Sequence, residues 1–236
     1  MYRNFKEMED CLLSNGIKKT IALANAQDDV ALEALVHAKK VGIVDAILIG
    51  DTKKIDSLLE AMNENKSDYT IIECDDERES ANLACNLIKD GKADIPMKGL
   101  MQTANFMKAI LNKELGFFKE GSLLSQATLL QFKEENRFLI ITDCAVNINP
   151  DLNAKGKITA NAIKLAHSLG IEKPNIAFLS AVEKVNPKIV STVDAKELAD
   201  MANAGAFGEI GCAAGPLALD NAISEEAAKH KGIDSP

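Results

Sequence analysis

The sequence predicts an α/β protein of three layers, in which helices cover both faces of a mainly parallel sheet. Short apolar runs alternate with amphipathic helical stretches through most of the 236 residues. A strand followed by a helix and a second strand forms a crossover unit, and such a unit joins parallel strands. The composition, with 47% hydrophobic and 26% charged residues, is that of a folded globular chain rather than a disordered one.

The first half of the chain shows the clearest alternation of elements. Strands are predicted at 21–24, 46–49, 69–74 and 93–97, and helices at 30–41, 55–63, 79–89 and 103–113. Asp28 and Asp51 precede the first two helices, where an N-cap residue belongs, and Gly42 follows the first helix. This order of elements favours a wound parallel sheet over a repeat protein.

The pattern changes after Gly116. Two apolar runs, at 123–132 and 138–142, are joined by the polar residues 133–137, which predicts a hairpin or an edge crossing into a second domain. The remaining predicted elements are helices at 151–169, 192–204 and 221–231 and a strand at 175–182. We therefore expect a first domain at 1–130 and a second domain at 131–236, joined without a proline-rich or serine-rich linker.

Charge and composition exclude several classes of function. The chain has 27 Lys and Arg against 35 Asp and Glu, whereas nucleic-acid binders carry a basic surplus. No apolar run approaches the roughly 20 residues that span a bilayer, and Met1 to Asp10 lack the apolar core of a signal peptide. The cysteines form no Cys-x-x-Cys pair and the histidines lack ligand spacing, so we expect neither disulfides nor a metal site. We expect a cytoplasmic protein without nucleic-acid or membrane partners.

Residues that can carry chemistry occur at three places, and none of these places matches a dinucleotide, phosphate-loop or nucleophile-elbow motif. The first is 97–105, between a predicted strand and a predicted helix. Lys98 supplies a positive charge, and Thr103 can cap the helix or donate a hydrogen bond. Helix N-termini expose N–H groups at the strand ends where α/β sheets bind ligands, so this segment predicts an anion site. A capped turn with a solvated lysine is the alternative.

The other two places follow later apolar runs. Asp143 and Asn147 come at the end of a predicted strand and are expected to face a cleft. There Asp143 would position substrate, accept a proton or serve as a structural hydrogen-bond acceptor. Asn149 precedes Pro150, and we expect the next helix to start there with the proline at its first position. Asp220 is expected to cap the last helix or to face the cleft.

At these three places the chain resembles the phosphate acetyl/butyryl transferase family, and most of all its butyryl-transferring members. The matching segments, in collinear order, are 98–104 (KGLMQTA), 111–116 (LNKELG), 143–151 (DCAVNINPD), 182–187 (VEKVNP), 192–195 (TVDA) and 215–232. The resemblance runs from Ile21 onward. It implies a two-domain fold similar to that of the isocitrate and isopropylmalate dehydrogenases, with a cleft between the domains.

The resemblance also implies a reaction. Acyl-CoA and inorganic phosphate would be the substrates, without a bound cofactor or metal, and the protein would form a homo-oligomer. Lys98, Gly99 and Thr103 would hold an anionic group, either phosphate or a phosphate of coenzyme A. Lys108 would support them where relatives often carry an arginine. The residues implied to line the cleft are Asp143, Asn147, Asn149 and Asp220.

The family keeps a Ser-Arg pair and a following Asp near its reaction centre, and these 236 residues contain no match to that motif. The catalytic residues therefore stay unassigned, and we expect a truncated gene, a fragment of a longer protein, or a fold that a different partner completes. One alternative is a truncated, non-catalytic remnant or binding subunit of the family. Another is a metal- and NAD-dependent hydroxy-acid dehydrogenase of related fold. The dehydrogenase needs an arginine-rich pocket and clustered aspartates, whereas the arginines here are only Arg3, Arg78 and Arg137.

Overall fold

A computed structural model describes residues 2–132 and 135–233. In chain order the helices are α1 (Phe5–Asn15), α2 (Asp29–Val41), α3 (Thr52–Ala61), α4 (Glu77–Lys89), α5 (Thr103–Ile110), α6 (Leu152–Ser168), α7 (Val190–Asn203), α8 (Leu219–Ile223) and α9 (Glu225–Lys231). The strands are β1 (Lys19–Ala24), β2 (Val44–Gly50), β3 (Thr70–Glu73), β4 (Ile95–Lys98), β5 (Ala127–Phe132), β6 (Arg137–Thr142), β7 (Ile176–Leu179) and β8 (Ala213–Leu217). Residues 133 and 134 of the predicted hairpin loop, and 234–236 at the end, lie outside the described residues.

The described chain divides into two compact units. The first unit contains Met8–Glu120, and the second contains the chain from Gly121 onward together with the residues up to Glu7. Strands β1 to β4 and helices α2 to α5 belong to the first unit, and β5 to β8 with α6 to α9 belong to the second. Within the described residues, no helix combines the length and the apolar character needed to cross a bilayer.

The first unit is built on a parallel sheet of four strands in the order β3-β2-β1-β4. Successive residues of β1 face opposite sides of this sheet, as the pleat requires. Leu23 packs in a core with α2 and α3, whereas Ala22 and Ala24 pack in a second core with α4 and α5. Helices therefore cover both faces of this sheet, and the predicted α/β class with a mainly parallel sheet is confirmed.

Side chains cap α2 and α3 where the sequence predicts them, whereas the predicted cap at Thr103 is wrong, because Thr103 is the first residue of α5 and that helix has no side-chain cap. The Asp28 carboxylate accepts the N–H of Ala31 at 3.1 Å, and the Asp51 carboxylate accepts the N–H of Lys54 at 3.1 Å. Gly42 has a φ of +94° and ends α2 in the left-handed conformation that favours glycine. These contacts fix the first turns of α2 and α3 beside the carboxyl ends of the strands.

The second unit contains a hairpin and a separate pair of strands. β5 and β6 pair antiparallel, from Ala127 opposite Thr142 to Phe132 opposite Arg137, which confirms the predicted hairpin. β7 and β8 pair in parallel, and α7 packs against them through a small core that includes Ala199.

The end of the second unit differs from the prediction. The helix predicted at 221–231 is two helices, α8 and α9, because Ser224 leaves the helical conformation and its hydroxyl accepts the N–H of Ala227 at 3.2 Å. Asp220 lies inside α8 and caps neither helix, so its predicted capping role is wrong. The Ser224 hydroxyl thus provides a hydrogen-bond acceptor that competes with the continuation of a single helix.

Strand β8 has no counterpart in the sequence prediction, because it contains Gly215 and Pro216. Both residues are unusual inside strands. A Cβ atom on Gly215 would lie 2.7 Å from the Cβ of Phe178 and 2.9 Å from the carbonyl oxygen of Ala195. The glycine is therefore required where the strand passes close to β7 and α7.

The starts and ends of two other helices also differ from the prediction. α6 begins at Leu152 because the Asp151 carboxylate accepts the N–H of Ala154 at 2.7 Å. Pro150 therefore precedes the N-cap instead of occupying the first helical position. α5 ends at Ile110, and a short 3₁₀ turn at 113–115 replaces the predicted last turn.

Packing in the first unit predicts a contrast between two substitutions in α2. Leu35 is 1% exposed and Val30 is 72% exposed. We expect Leu35→Ala to lower the free energy of unfolding by about 2–4 kcal/mol, because it leaves a cavity in the core. Val30→Ala should change it by less than about 0.5 kcal/mol. Urea unfolding followed by circular dichroism measures both values, and equal effects would contradict this packing.

Candidate functional site

Strands β1 and β4 are neighbours in the sheet, but the helices that follow them lie on opposite faces. α2 follows β1 and packs on one face, whereas α5 follows β4 and packs on the other. This arrangement is a topological switch point, at which the loops diverge and open α/β sheets bind ligands. The segment after β4 that the sequence singles out therefore lies where the first unit is best suited to a ligand.

Hydrogen bonds hold this segment against the chain that follows β1. The Gly99 N–H donates to the carbonyl of Ala24 at 2.8 Å, and the Leu100 N–H donates to the carbonyl of Asn25 at 3.3 Å. The side-chain amide of Asn25 donates in return to the carbonyl of Leu100 at 3.0 Å. A Cβ atom on Gly99 would lie only 2.2 Å from the Asn25 oxygen, so no side chain fits between the two segments.

Asn25 and Ser80 support this segment, and neither is among the residues predicted from the sequence. Asn25 has a φ of +52° and is almost completely buried. The fully buried Ser80 hydroxyl accepts its N–H at 2.9 Å. Asparagine adopts the left-handed region more readily than most residues, so an Asn directly after a buried strand is the signal that indicates such a turn.

The Lys98 ammonium contacts the backbone of its own segment. Nζ donates to the carbonyl oxygen of Met101 at 3.1 Å and to that of Gly99 at 3.4 Å. An ammonium group has three N–H donors, so these two contacts leave one donor for another partner. Lys98 thus stabilises the turn and places a positive charge next to the start of α5.

The N-terminus of α5 offers two backbone N–H groups, of Thr103 and Ala104, that have no acceptor among the described residues. Thr103 is exposed. Free donors, the helix dipole and Lys98 are features that favour an anion at this turn. Lys108 lies on the last turn of α5, at the other end of the helix, and makes no ion pair with the part of the chain that the structure describes.

Glu77, the first residue of α4, also contacts the N-terminus of α5. Its Oε1 accepts the N–H of Gln102 at 2.5 Å and the side-chain amide of Asn105 at 2.9 Å. Negative charge at a helix N-terminus is stabilising, which accounts for the contact. The partners are 25 and 28 residues apart in sequence, so no local pattern predicts it.

In the second unit, Asp143 organises the loop that follows β6. Its Oδ1 accepts the N–H groups of Ala145 at 3.0 Å and Val146 at 2.9 Å. Its Oδ2 accepts the N–H of Gln126 at 3.2 Å and the side-chain amide of Asn147 at 2.6 Å. Partial burial works to raise the pKa of this carboxyl, but the four hydrogen bonds outweigh burial and lower the pKa to about 2.

This environment bears on the roles that the sequence left open for Asp143. A carboxyl with a pKa of about 2 is a weak base at neutral pH, and its four hydrogen bonds all come from the protein. The geometry therefore favours the structural role, as the acceptor that orders the loop.

The other residues of this loop differ in their contacts. The Asn147 amide also donates to the carbonyl of Leu124 at 3.0 Å, which ties the loop to the chain before β5. Asn149 is exposed, and its neighbour Ile148 is 99% exposed. Asn147 thus holds the loop against the chain before β5, whereas Asn149 faces solvent.

Asp220 belongs to a separate polar cluster at the start of α8. Its Oδ2 accepts a hydrogen bond from Lys231 at 3.0 Å, and that contact lowers the pKa of the carboxyl. Lys231 also contacts Glu183 at 3.2 Å, and the buried Asn221 amide donates to the same Glu183 oxygen at 2.7 Å. Nowhere in 2–132 and 135–233 do three His, Cys, Asp or Glu side chains come together as a metal site would require.

Comparisons with known proteins relate the whole chain to acyltransferases that use phosphate. A family model described as "Phosphate acetyl/butaryl transferase" matches residues 77–236. Phosphate butyryltransferase of Clostridium acetobutylicum is 42% identical over 234 residues, which are 99% of this chain and 76% of that protein. Phosphate acetyltransferase of Thermotoga maritima is 34% identical over 225 residues, which are 95% of this chain and 75% of that protein.

A solved structure agrees with these sequence matches. The crystal structure of a branched-chain phosphotransacylase from Enterococcus faecalis superposes with a TM-score of 0.75 at 31% identity. The superposition covers 92% of this chain and 75% of that one. The likeness in fold therefore extends over almost all of the chain.

The close approach at Gly99 predicts that Gly99→Ala disrupts the segment after β4. The added Cβ would meet two backbone oxygens, those of Asn25 and Ala24, and backbone cannot move aside as a flexible side chain can. We expect a loss of about 1–3 kcal/mol in the free energy of unfolding. The neighbouring Leu100→Ala, at an exposed position, should cost less than about 0.5 kcal/mol. Urea unfolding of the two variants makes the comparison, and a neutral Gly99→Ala would contradict the packing.

The hydrogen bonds of Asp143 predict a pH-dependent contribution to stability. Because its folded pKa lies below the ordinary value of 3.8, the contribution is complete at neutral pH and is lost as the pH falls from about 4 to about 2. Asp143→Asn replaces one acceptor oxygen with an NH2 group that faces other N–H donors. We expect it to lower the free energy of unfolding by about 1–2 kcal/mol at pH 7.

The control for Asp143→Asn is Asp200→Asn, at an exposed ion pair with Lys196. It should cost less than about 0.5 kcal/mol at the same pH. Urea unfolding between pH 7 and pH 3 tests both variants. A difference between Asp143→Asn and the unmodified chain that stays constant as the pH falls would contradict the assignment.

Proposed function

This chain belongs to the phosphate acetyl/butyryl transferase family, and we propose that it transfers a butyryl or similar short acyl group between coenzyme A and inorganic phosphate. The observation that carries the proposal is the turn at 98–104. There, free N–H groups and a lysine lie at a switch point in a chain that is 42% identical to a phosphate butyryltransferase. The comparisons give no support to the dehydrogenase alternative.

The proposed reaction needs little covalent chemistry from the protein. A phosphate oxygen attacks the thioester carbonyl, the C–S bond breaks, and the sulfur receives the proton that phosphate loses. The products are acyl phosphate and free coenzyme A. Rate enhancement then comes from holding phosphate beside the carbonyl and from stabilising the negative charge on the carbonyl oxygen.

The first unit supplies the anion-binding part of this proposal. The N–H groups of Thr103 and Ala104 and the Thr103 hydroxyl donate to the oxygens of phosphate or of a coenzyme A phosphate. Lys98 adds positive charge and keeps the turn in shape through its contacts with backbone carbonyls. Gly99 allows the turn to approach β1, and Lys108 adds longer-range positive charge from the end of α5.

The second unit supplies residues that are proposed to line the cleft implied by the family resemblance: Asp143, Asn147, Asn149 and Asp220. In this proposal Asp143 acts by shaping its loop, because its carboxylate is already occupied by four donors. The exposed Asn149 and Ile148 are then the loop residues free to contact the substrate. The two-domain arrangement similar to isocitrate dehydrogenase is part of the same proposal.

The test of the proposed activity is release of free thiol from butyryl-CoA, followed with a disulfide dye. We expect release that depends on added phosphate and that yields butyryl phosphate in equal amount. Acetyl-CoA and a branched acyl-CoA, tested in parallel, define the acyl group. A folded chain that releases no thiol from any of the three with phosphate present would contradict the proposal.

A variant of Thr103 tests the assignment of the anion-binding turn. Thr103→Val keeps the shape of the side chain but removes the hydroxyl donor. A hydrogen bond to a charged group contributes about 1.5–3 kcal/mol, so the KM of the substrate that supplies the anion should rise about tenfold or more. A rise in the KM for inorganic phosphate alone assigns the turn to phosphate, and a rise in the KM for acyl-CoA alone assigns it to a coenzyme A phosphate. Thr70→Val, at the start of β3 on the opposite edge of the sheet, is the control and should leave both constants unchanged. Equal effects of the two variants would contradict the assignment.

A further inference from the structure

An open cavity of about 410 Å³ lies in the first unit, at the end of the sheet where its strands begin. Lys18 directly precedes β1, Lys39 and Lys40 lie in the last turn of α2, and two acids follow α3. The five charged residues that line the cavity are Lys18, Lys39, Lys40, Glu64 and Asp68. Its volume is in the range that holds small molecules. The turn after β4 lies at the opposite end of the strands, so the cavity is separate from the candidate site.

Acidic side chains hold two of the three lysines in place. Lys39 Nζ donates to Asp45 Oδ1 at 3.0 Å and lies 5.4 Å from the centre of the Tyr69 ring, where a cation is favourable. Lys40 Nζ lies 2.7 Å from Glu64 Oε1, and the buried Tyr69 hydroxyl donates to Glu64 Oε2 at 2.6 Å. Both oxygens of Glu64 are thus used, and the contact with Lys40 contributes most to the lowered pKa of its carboxyl.

Lys18 and Asp68 are the lining residues whose charged groups have no partner. Neither side chain makes a hydrogen bond or an ion pair with the residues that the structure describes. Although both line the same cavity, they do not pair with each other, so their charged groups lie apart on its wall. The hydrogen bond from Lys39 lowers the pKa of Asp45, and the charge of Lys18 lowers it further, so these two lysines lie near the same carboxylate.

A small molecule that carries one negative and one positive group matches these two unpaired charges. The lysines have donors to spare, because an ammonium group has three N–H donors and Lys39 and Lys40 each use one on an acid. An ionised carboxylate only accepts hydrogen bonds, so Asp68 needs a donor from the ligand. We propose that the cavity binds a small zwitterion, with the carboxylate of the ligand at Lys18 and its ammonium group at Asp68. Free α-amino acids and ω-amino acids share this chemistry.

The balance of charge in the cavity favours a zwitterion over a simple anion or a simple cation. Once the two ion pairs are formed, one positive and one negative group remain on the lining. A simple anion is attracted by Lys18 but repelled by Asp68, and a simple cation meets the reverse. A zwitterion meets a favourable partner at both ends. The cavity therefore discriminates through the charge that repels as well as through the charge that attracts.

The test is a titration of the isotopically labelled full chain, in which the amide signals of Lys18, Lys40 and Asp68 report binding in the cavity. The zwitterionic probes are glycine and ε-aminocaproate, which hold their two charges close together and far apart. Acetate and methylammonium carry the same groups singly. At least one zwitterion should bind about tenfold more tightly than either single-charge probe, because it gains a second charge-assisted contact. The tighter zwitterion distinguishes an α-amino acid from an ω-amino acid as the ligand.

Lys18→Gln and Asp68→Asn each remove one charge at an exposed position. Each should weaken the tighter zwitterion about tenfold. Because Asp68→Asn removes a repulsion, acetate should bind to it more tightly than to the unmodified chain, and Lys18→Gln should do the same for methylammonium. The matched controls are Lys53→Gln and Asp75→Asn, which remove the same charges at exposed positions outside the cavity lining and should change affinity by less than about twofold. Circular dichroism confirms that the four variants are folded.

Three results would overturn the inference. Acetate that binds as tightly as both zwitterions would identify a simple anion patch made by the lysines. Equal effects of the lining variants and the control variants would identify a general effect of net charge. If neither zwitterion gives saturable shifts at Lys18, Lys40 and Asp68, these charges are solvated and hold no ligand. The inference is independent of the proposed acyl transfer, which the thiol-release assay decides separately.

Discussion

The candidate site depends on the pairing of β1 with β4, which continues past the ends of both strands. The hydrogen bonds from Gly99 to Ala24 and from Leu100 to Asn25 fix the direction of the chain after β4. Because α5 starts only a few residues later, these bonds also place its N-terminus at the switch point of the sheet. The absence of a side chain at Gly99 is what permits the approach, so a steric constraint at one residue positions the donors of the site.

For an anion at the start of α5, the local charges and dipoles matter more than the net charge of the whole chain. The formal net charge is −8, yet the helix dipole, two free N–H groups and Lys98 converge on this one turn. Glu77 places a negative charge at the same turn and occupies one further N–H group. Asp143 in the second unit shows the contrasting case, in which four donors satisfy a carboxylate and leave it a structural part of its loop.

The parallel sheet and the capped helices of the first unit could be predicted because their signals are local. Asp28 and Asp51 cap the helices that follow them, and alternating apolar residues cover both faces of the strands. The contacts of the site could not be predicted, because Glu77 and Ser80 reach partners far away in sequence. β8 was missed for another reason, since a close approach to β7 and α7 overrides the usual exclusion of glycine from strands.

The most direct test of the central claim is a titration with inorganic phosphate followed by the amide signals of the isotopically labelled chain. The account predicts saturable shifts for Thr103 and Ala104, with smaller shifts for Gln102. The uncapped start of α7, at Val190 and Ser191, serves as an internal control because it is another helix N-terminus without a side-chain cap. Shifts that are equal at both helices, or that are confined to α7, would contradict the assignment of phosphate binding to the turn after β4.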